Sequence, residues 1–474
     1  MIRGHLSLLL LNLCLCLSLS PACAERVKEP AVAGSFYPAD AKALKETVNN
    51  LLGRAEYRAG NGRLIALIAP HAGYIYSGQI AAHTYRHLKE RDIDTVILIG
   101  ASHHKAYQGV SVYAEGSMKT PLGLVKINEK MARSLLDEKA RVTFFSEAFA
   151  KEHSLEVQLP FLQETLKDFR IVPILMGSPT QESFTYLGEK LTALLRENPK
   201  AIIVASTDLS HYHDYETAEH KDMKIIDTIR RMSVEDAEQL LKTGEGEMCG
   251  GYPVLLTMLV ARNLGATDAM LYKYANSGDV TADKVRVVGY AGMGLYHTEL
   301  TADERKELLG LARQTIQSYV KHAIIPDIKP QDQRLQANGA TFVTINRQGQ
   351  LRGCIGNILP IMPLYRSVIT NAVSASSRDP RFPPMKDAEL EDMEIEVTVL
   401  SPLEPFRDIK ELVIGKHGLY ITNGRNTGIL LPQVAVEQNW AADAFLENVS
   451  LKAGLHKDAW KTSQLHMFTA DIIR

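Results

Sequence analysis

Four short runs in this chain are apolar with almost no alternation: LIALIA at 64–69, TVILIG at 95–100, IVPILM at 171–176 and AIIVA at 201–205. A strand with one face in water alternates apolar and polar side chains, whereas a strand covered on both faces does not. Between and around these runs lie patterns of helical period at 79–90, 154–168 and 183–196. Such alternation predicts an α/β layer fold, with a largely parallel sheet flanked by helices. Runs at 270–274 and 285–292 predict further strands.

Three of the four runs end in polar, chemically able residues. LIALIAP ends in His71, TVILIGAS ends in His103 and His104, and AIIVAS leads to Asp208, His211 and His213. Open α/β sheets bind ligands outside the carboxyl ends of their strands. One histidine there reads as a loop residue. Histidines at equivalent positions on three strands predict a shared cleft. Cys249, in EMCGGYP, precedes a predicted helix over 253–263 that opens with Pro253. A thiol before a helix N-terminus is expected to ionise more easily. It reads as a metal ligand or nucleophile, and equally as a buried inert cysteine. His71, His103 and Cys249 would form a triad suited to Zn, Cu or Fe. Asp208 and His211 could then orient ligands or carry protons as catalytic groups. His153 and Glu156, in EHSLEVQL, read as helix capping and surface polarity as well as site residues.

The first residues differ in texture. Leu6 to Leu19 is an apolar run behind a weakly basic start, too short to span a bilayer comfortably. Ala22-x-Ala24 fits a signal-peptidase site. A signal peptide at 1–24 is therefore expected, with export to the periplasm or outside and no transmembrane helix in the mature chain. Lipid anchoring through Cys23 is the lesser alternative, because Ser20 and Pro21 are poor lipobox residues. Cys14, Cys16 and Cys23 fall in this region, so Cys249 and Cys354 are left, too few for a disulfide framework. The net charge of −2 calls for neither nucleic acid nor an anionic membrane as partner.

Near residue 298 the pattern changes. Thr301 reads as an N-cap with acids just after it, opening a helix that runs to about Val320. Residues 341–346 and 394–400 alternate as half-buried strands do. An α/β domain at 26–298 and then an α+β domain at 303–474 is the expected organisation.

The motifs APHAGYIYSG, GASHHKAYQGV, EHSLEVQLPFL, STDLSH and MCGGYP, with GSFYP near residue 34, resemble the Memo protein family over about 28–297. That resemblance implies a fold like the class III extradiol ring-cleaving dioxygenases, which hold Fe(II) through two histidines and a carboxylate. It implies metal ligands at His71, His103 and Cys249, with Asp208 and His211 lining the pocket. A cysteine replaces the carboxylate, so ring cleavage is not directly implied. Iron or copper, oxidation chemistry and partner binding are all associated with the family.

The later motifs LRGCIGNILP, SSRDPRFPPM and EVTVLSPLEP resemble the AMMECR domain over about 305–474. Arg352 and Cys354 of its hexapeptide, with Arg378, Asp379 and Arg381, form a possible second site. Arginines near one aspartate would suit an anionic ligand; the alternative is a structural ion-pair cluster. The two families occur together with a radical-SAM protein in the AmmeMemoRadiSam system, and this chain looks like two of its components fused. It has no CxxxCxxC, so the radical-SAM partner would be a separate polypeptide. The expected function is a metal-dependent redox enzyme acting on a small molecule, by fold analogy a small aromatic. The alternatives are a non-enzymatic metal-binding or interaction module, and hydrolysis with Cys249 as nucleophile.

Overall fold

The four apolar runs are the four adjacent central strands of one sheet. The structure is a computed structural model and describes residues 26–58, 62–406 and 408–474. The expected signal peptide at 1–24, with Cys14, Cys16 and Cys23, lies outside the described residues. Among those described, no helix is long and apolar enough to cross a membrane.

In chain order, the first domain's main elements begin with β1 (Arg63–Ala69), α1 (Tyr74–Tyr85), β2 (Thr95–Ala101), β3 (Val110–Val112) and β4 (Val142–Thr143). They continue with α2 (Leu159–Thr165), β5 (Arg170–Met176), α3 (Gln181–Glu197), β6 (Ala201–Ser206) and β7 (His211–His213). The last are α4 (Tyr215–Arg230), α5 (Gly251–Asn263), β8 (Asp268–Asn276) and β9 (Val287–His297). The sheet order is β7-β9-β1-β6-β2-β5-β3-β4, with β8 pairing β9. β1, β6, β2 and β5 run parallel. β9 joins β1 antiparallel, and β3 joins β5 antiparallel. The largely parallel sheet expected from the sequence is thus corrected to a mixed sheet with a parallel centre. The reason is that the central strands are buried on both faces, and only there does composition report the parallel arrangement.

The helix expected over 154–168 is shorter. Residues Glu156–Gln158 form a 3₁₀ turn and α2 starts at Leu159, with Pro160 in its first turn. Pro160 has no N–H to give the preceding turn, which favours a helix start at that point.

The second domain opens with α6 (Ala302–His322). Thr301 caps it, and the Glu304 side chain reaches back to the Thr301 amide, a complete capping box. Then come β10 (Asn338–Arg347), β11 (Gln350–Gly356), α7 (Leu364–Ser377), β12 (Met393–Leu400), β13 (His417–Asn423), β14 (Asn426–Leu430), α8 (Ala442–Lys452) and β15 (Gln464–Ile473). Their order is β11-β10-β12-β15-β13-β14, all antiparallel. α6 and α7 cover one half of this sheet around Val343, Val368 and Val397, and α8 covers the other around Leu419 and Phe445. These cores are separate from that of the first domain.

Candidate metal centre

Parallel pairing puts the carboxyl ends of β1, β6 and β2 on one edge. His71 lies just past β1, His103 past β2 and Asp208 past β6. The turn carrying His71 is held from two sides. Asp208 Oδ1 accepts the His71 amide at 2.7 Å, and Gln158 Nε2 donates to the Pro70 carbonyl at 3.0 Å.

The His71 tautomer is set by its neighbours. Ser206 Oγ donates its proton to the Ser154 carbonyl (2.6 Å) and accepts from Gln158 Nε2 (2.8 Å). It also sits 2.8 Å from His71 Nδ1. A hydroxyl has one proton to give, so His71 Nδ1 must be the donor and Nε2 keeps its lone pair. His103 is set the same way. Glu152 Oε1 lies 2.9 Å from its Nδ1, and an ionised carboxylate only accepts. Nδ1 of His103 is therefore the donor to Glu152, which leaves Nε2 as the nitrogen free to meet a metal. A histidine whose far nitrogen binds a carboxylate or hydroxyl is the usual arrangement behind a metal.

The third imidazole is His153. Ligand atoms of His71, His103 and His153 all lie within 4.8 Å of one another. The His103 and His153 rings are 4.7 Å apart, and His71 and His153 are 5.4 Å apart, edge to face. Burial, more than the neighbouring charges, lowers His153 to about 4. Burial, with repulsion from His103 and His153, holds His71 well below the ordinary histidine range. Both imidazoles are neutral near pH 7, the form that binds metal. Three imidazoles converging there, His71 and His153 neutral and His71 and His103 each held through Nδ1, are a donor set that fits a transition-metal ion.

Cys249 adjoins this set through His71: its Sγ is 3.1 Å from His71 Nε2. Gly250 makes that approach possible, since a Cβ there would run into the Ser206 carbonyl and the Thr207 side chain. The expectation of an acidified thiol is corrected. Burial, reinforced by the Asp208 carboxylate, pushes it up to about 12. The helix N-terminus does not offset the loss of water. Asp208 itself is raised to about 7 by burial, against the amides of His71 and Ala72. His211 stands at the rim in β7, lowered by burial, with the Leu209 carbonyl and Glu247 acting in the opposite direction. His213 pairs with Glu247 at 2.9 Å. His104 lies 5.7 Å from the His153 ring.

Two acids stand behind the site, and of these the sequence reading includes Glu156 as a possible site residue but not Glu152. Glu152 accepts the amides of His103 (2.6 Å), His153 (3.0 Å) and Ser154 (2.9 Å) as well as His103 Nδ1. Burial opposes its charge, but His103 and these amides hold it well below the usual carboxylate range. Its position beside His153 was the one local signal. Glu156 is neither a cap nor a surface group. It is 2% exposed and accepts from Lys28 Nζ, the amides of Ala31 and Val32, and Tyr37 Oη. It thereby fixes the GSFYP segment, whose Phe36 ring packs 4.9 Å from His153.

In the second domain, Asp379 and Arg381 form a two-pronged ion pair, with Arg381 Nη2 to Asp379 Oδ2 at 2.7 Å. Asp379 also accepts the Cys354 amide, and Arg381 donates to the Cys354 carbonyl. Arg352 instead pairs with Glu389 at 2.7 Å, and Arg378 is exposed at the end of α7. Of these residues, Asp379, Arg381 and Cys354 are brought together, while Arg352 belongs to a second ion pair, in line with the ion-pair alternative. The carboxylate of Glu389, distant in sequence, takes Arg352 away.

Two family models match separate stretches of this chain. The family model described as Memo-like protein matches residues 28–294, and the AMMECR1 model matches 309–473. A MEMO1 family protein of Methanothermobacter thermautotrophicus is 38% identical over 276 residues, covering 56% of this chain and 99% of the relative. One from Methanopyrus kandleri is 36% identical over 276 residues, covering 56% and 98%. The crystal structure of an uncharacterized protein from Pyrococcus horikoshii is 35% identical, covering 36% of this chain and 92% of that one, with a TM-score of 0.35.

Proposed function

Because this chain belongs to the Memo family and carries an AMMECR1 domain behind its Memo domain, we propose that it is a metal-dependent redox enzyme centred on His71, His103 and His153. The observation that carries this reading is the convergence of their ligand atoms within 4.8 Å. Bound Fe(II) or a copper ion would supply one-electron chemistry. Cys249, next to His71 Nε2, is the added ligand, a thiol that loses its proton only to a metal. Glu152 and Ser206 orient the imidazoles. Asp208, near pH 7 a partly protonated buried acid, holds a proton beside Cys249. His211, neutral at the rim, accepts or returns one on the solvent side. The substrate is a small molecule, by fold analogy an aromatic one.

The raised Cys249 thiol argues against unaided nucleophilic hydrolysis, which needs thiolate. A metal carrier is the second reading, favoured by the soft sulfur beside His71. Catalytic consumption of O₂ or substrate separates enzyme from carrier. We further propose export of the mature chain and participation in an AmmeMemoRadiSam system with a separate radical-SAM protein. Metal content of anaerobically purified protein tests the core claim. Near-stoichiometric iron or copper in wild type, lost in His71→Ala and His153→Ala, is expected. No metal in wild type and no uptake of added Fe(II) or Cu(I) would overturn it.

A further inference from the structure

Cys249 comes to His71 from a segment 41 residues beyond Asp208, and two hydrogen bonds join these stretches. The Cys249 amide donates to the Asp208 carbonyl at 3.2 Å, and the Asp208 amide donates to Cys249 Sγ at 3.3 Å. Thr207, 1% exposed, stands behind this exchange. Its hydroxyl donates to the Asp208 carbonyl at 2.7 Å and accepts the Gly250 amide at 2.9 Å. Its own amide donates to the Ala69 carbonyl at 3.0 Å, where β1 ends two residues before His71.

One hydroxyl therefore governs the peptide on each side of Cys249. The Cys249 N–H ends on the carbonyl that Thr207 also engages, and the Gly250 N–H ends on Thr207 itself. The fit leaves no slack: a Cβ on Gly250 would lie 2.6 Å from Thr207 Cβ. Thr207 Oγ1 is 4.0 Å from Cys249 Sγ and has given its one proton to Asp208, so it supplies the sulfur with no donor. Its hold on Cys249 runs through the backbone. With both flanking peptides fixed, only the side-chain rotamer is left free. The Asp208 amide selects the rotamer that brings Sγ to 3.1 Å from His71 Nε2.

We infer that Thr207 is a positioning residue for Cys249: its hydroxyl fixes the segment that sets Sγ against His71 Nε2. That Sγ then binds a metal rests on the proposed function. Where Sγ stands in metal-free protein does not.

Two variants test it. Thr207→Val removes the hydroxyl and keeps the branched shape; Thr207→Ser keeps the hydroxyl. In metal-free protein, iodoacetamide labelling of Cys249 should quicken at least about fivefold in Thr207→Val, the opening that loss of a buried hydrogen bond allows. Thr207→Ser should label like wild type. Cys354, in the second domain, should label at one rate in all three proteins and so registers any global loosening. Unchanged Cys249 labelling in Thr207→Val, the same acceleration in Thr207→Ser, or equal acceleration of Cys354 would each overturn the inference. Anaerobic titration with Co(II) adds a spectroscopic readout. Wild type and Thr207→Ser are expected to show thiolate-to-cobalt charge-transfer absorption, absent from Cys249→Ser and weakened in Thr207→Val. Full-strength absorption in Thr207→Val would also overturn the inference. Wild type lacking that absorption, with labelling as expected, would sink Cys249 as a metal ligand and leave the Thr207 assignment standing.

Discussion

Cys249 places its Sγ 3.1 Å from Nε2 of His71, the one ring nitrogen that Ser206 leaves free. The thiol and the imidazole lone pair thus face each other at the edge of the histidine cluster. Without a metal, the contact is a neutral S–H against a neutral ring.

That contact has a chemical consequence for Cys249. A thiol raised from 9.0 to about 12 carries roughly a thousandfold less thiolate at neutral pH than one at its ordinary value. Metal-free protein should therefore alkylate at Cys249 far more slowly than the same chain unfolded. Peptide mapping after timed iodoacetamide treatment measures it; equal rates would refute the burial argument.

Glu152 joins His103 to His153 through backbone and side chain. Glu152→Gln keeps the shape but loses the charge that fixes His103 Nδ1–H. Metal affinity should fall by about 10–100-fold, as when outer-shell carboxylates are removed elsewhere. Competition against a chelator of known affinity reads this, and an unchanged constant would count against Glu152 as the orienting group.

Glu156 is tested by stability. Glu156→Ala strands the buried Lys28 ammonium, whose side chain is 8% exposed. Breaking a buried pair in this way costs about 3–5 kcal/mol. Adding Lys28→Met removes the stranded charge and should recover part of the loss in urea denaturation. No recovery would mean that the amides of Ala31 and Val32, not the cation, dominate.

His153 sets a pH dependence. Burial lowers it from 6.5 to about 4 in the folded protein, so the unfolded chain takes up a proton first as pH falls. Its contribution to stability is complete above about pH 6.5 and declines as pH drops toward 4. The difference in denaturation free energy between metal-free wild type and His153→Gln, measured across that window, isolates it. A difference independent of pH would show that His153 titrates normally.

Much of the site was legible because the strand-end rule acts on local sequence. His71, His103 and Asp208 each come directly after a run whose composition already marks it as a covered strand. His153 and Glu156 were harder. Their segment has the pattern of an amphipathic helix, yet its first turn is 3₁₀ and its acids point inward, toward Lys28 and toward the amide of His103. A carboxylate looks the same in sequence whether it caps a helix or anchors a histidine from another strand. The second domain shows the same effect: Arg352 and Arg381 come from two motifs that the sequence alone cannot pair, and Glu389 takes one and Asp379 the other.

The amino-acid sequence by itself determined the layered fold, the Thr301 cap and which residues lie at the carboxyl edge of the parallel strands. These depend on side-chain periodicity and on neighbours a few positions away. Only the tertiary structure decided the protonation of Cys249 and the neutrality of the third imidazole, His153. Each is an electrostatic property of a buried environment, set by desolvation and by partners such as His71, which is 178 residues from Cys249. Burial and long-range contact exist only once the chain has closed on itself.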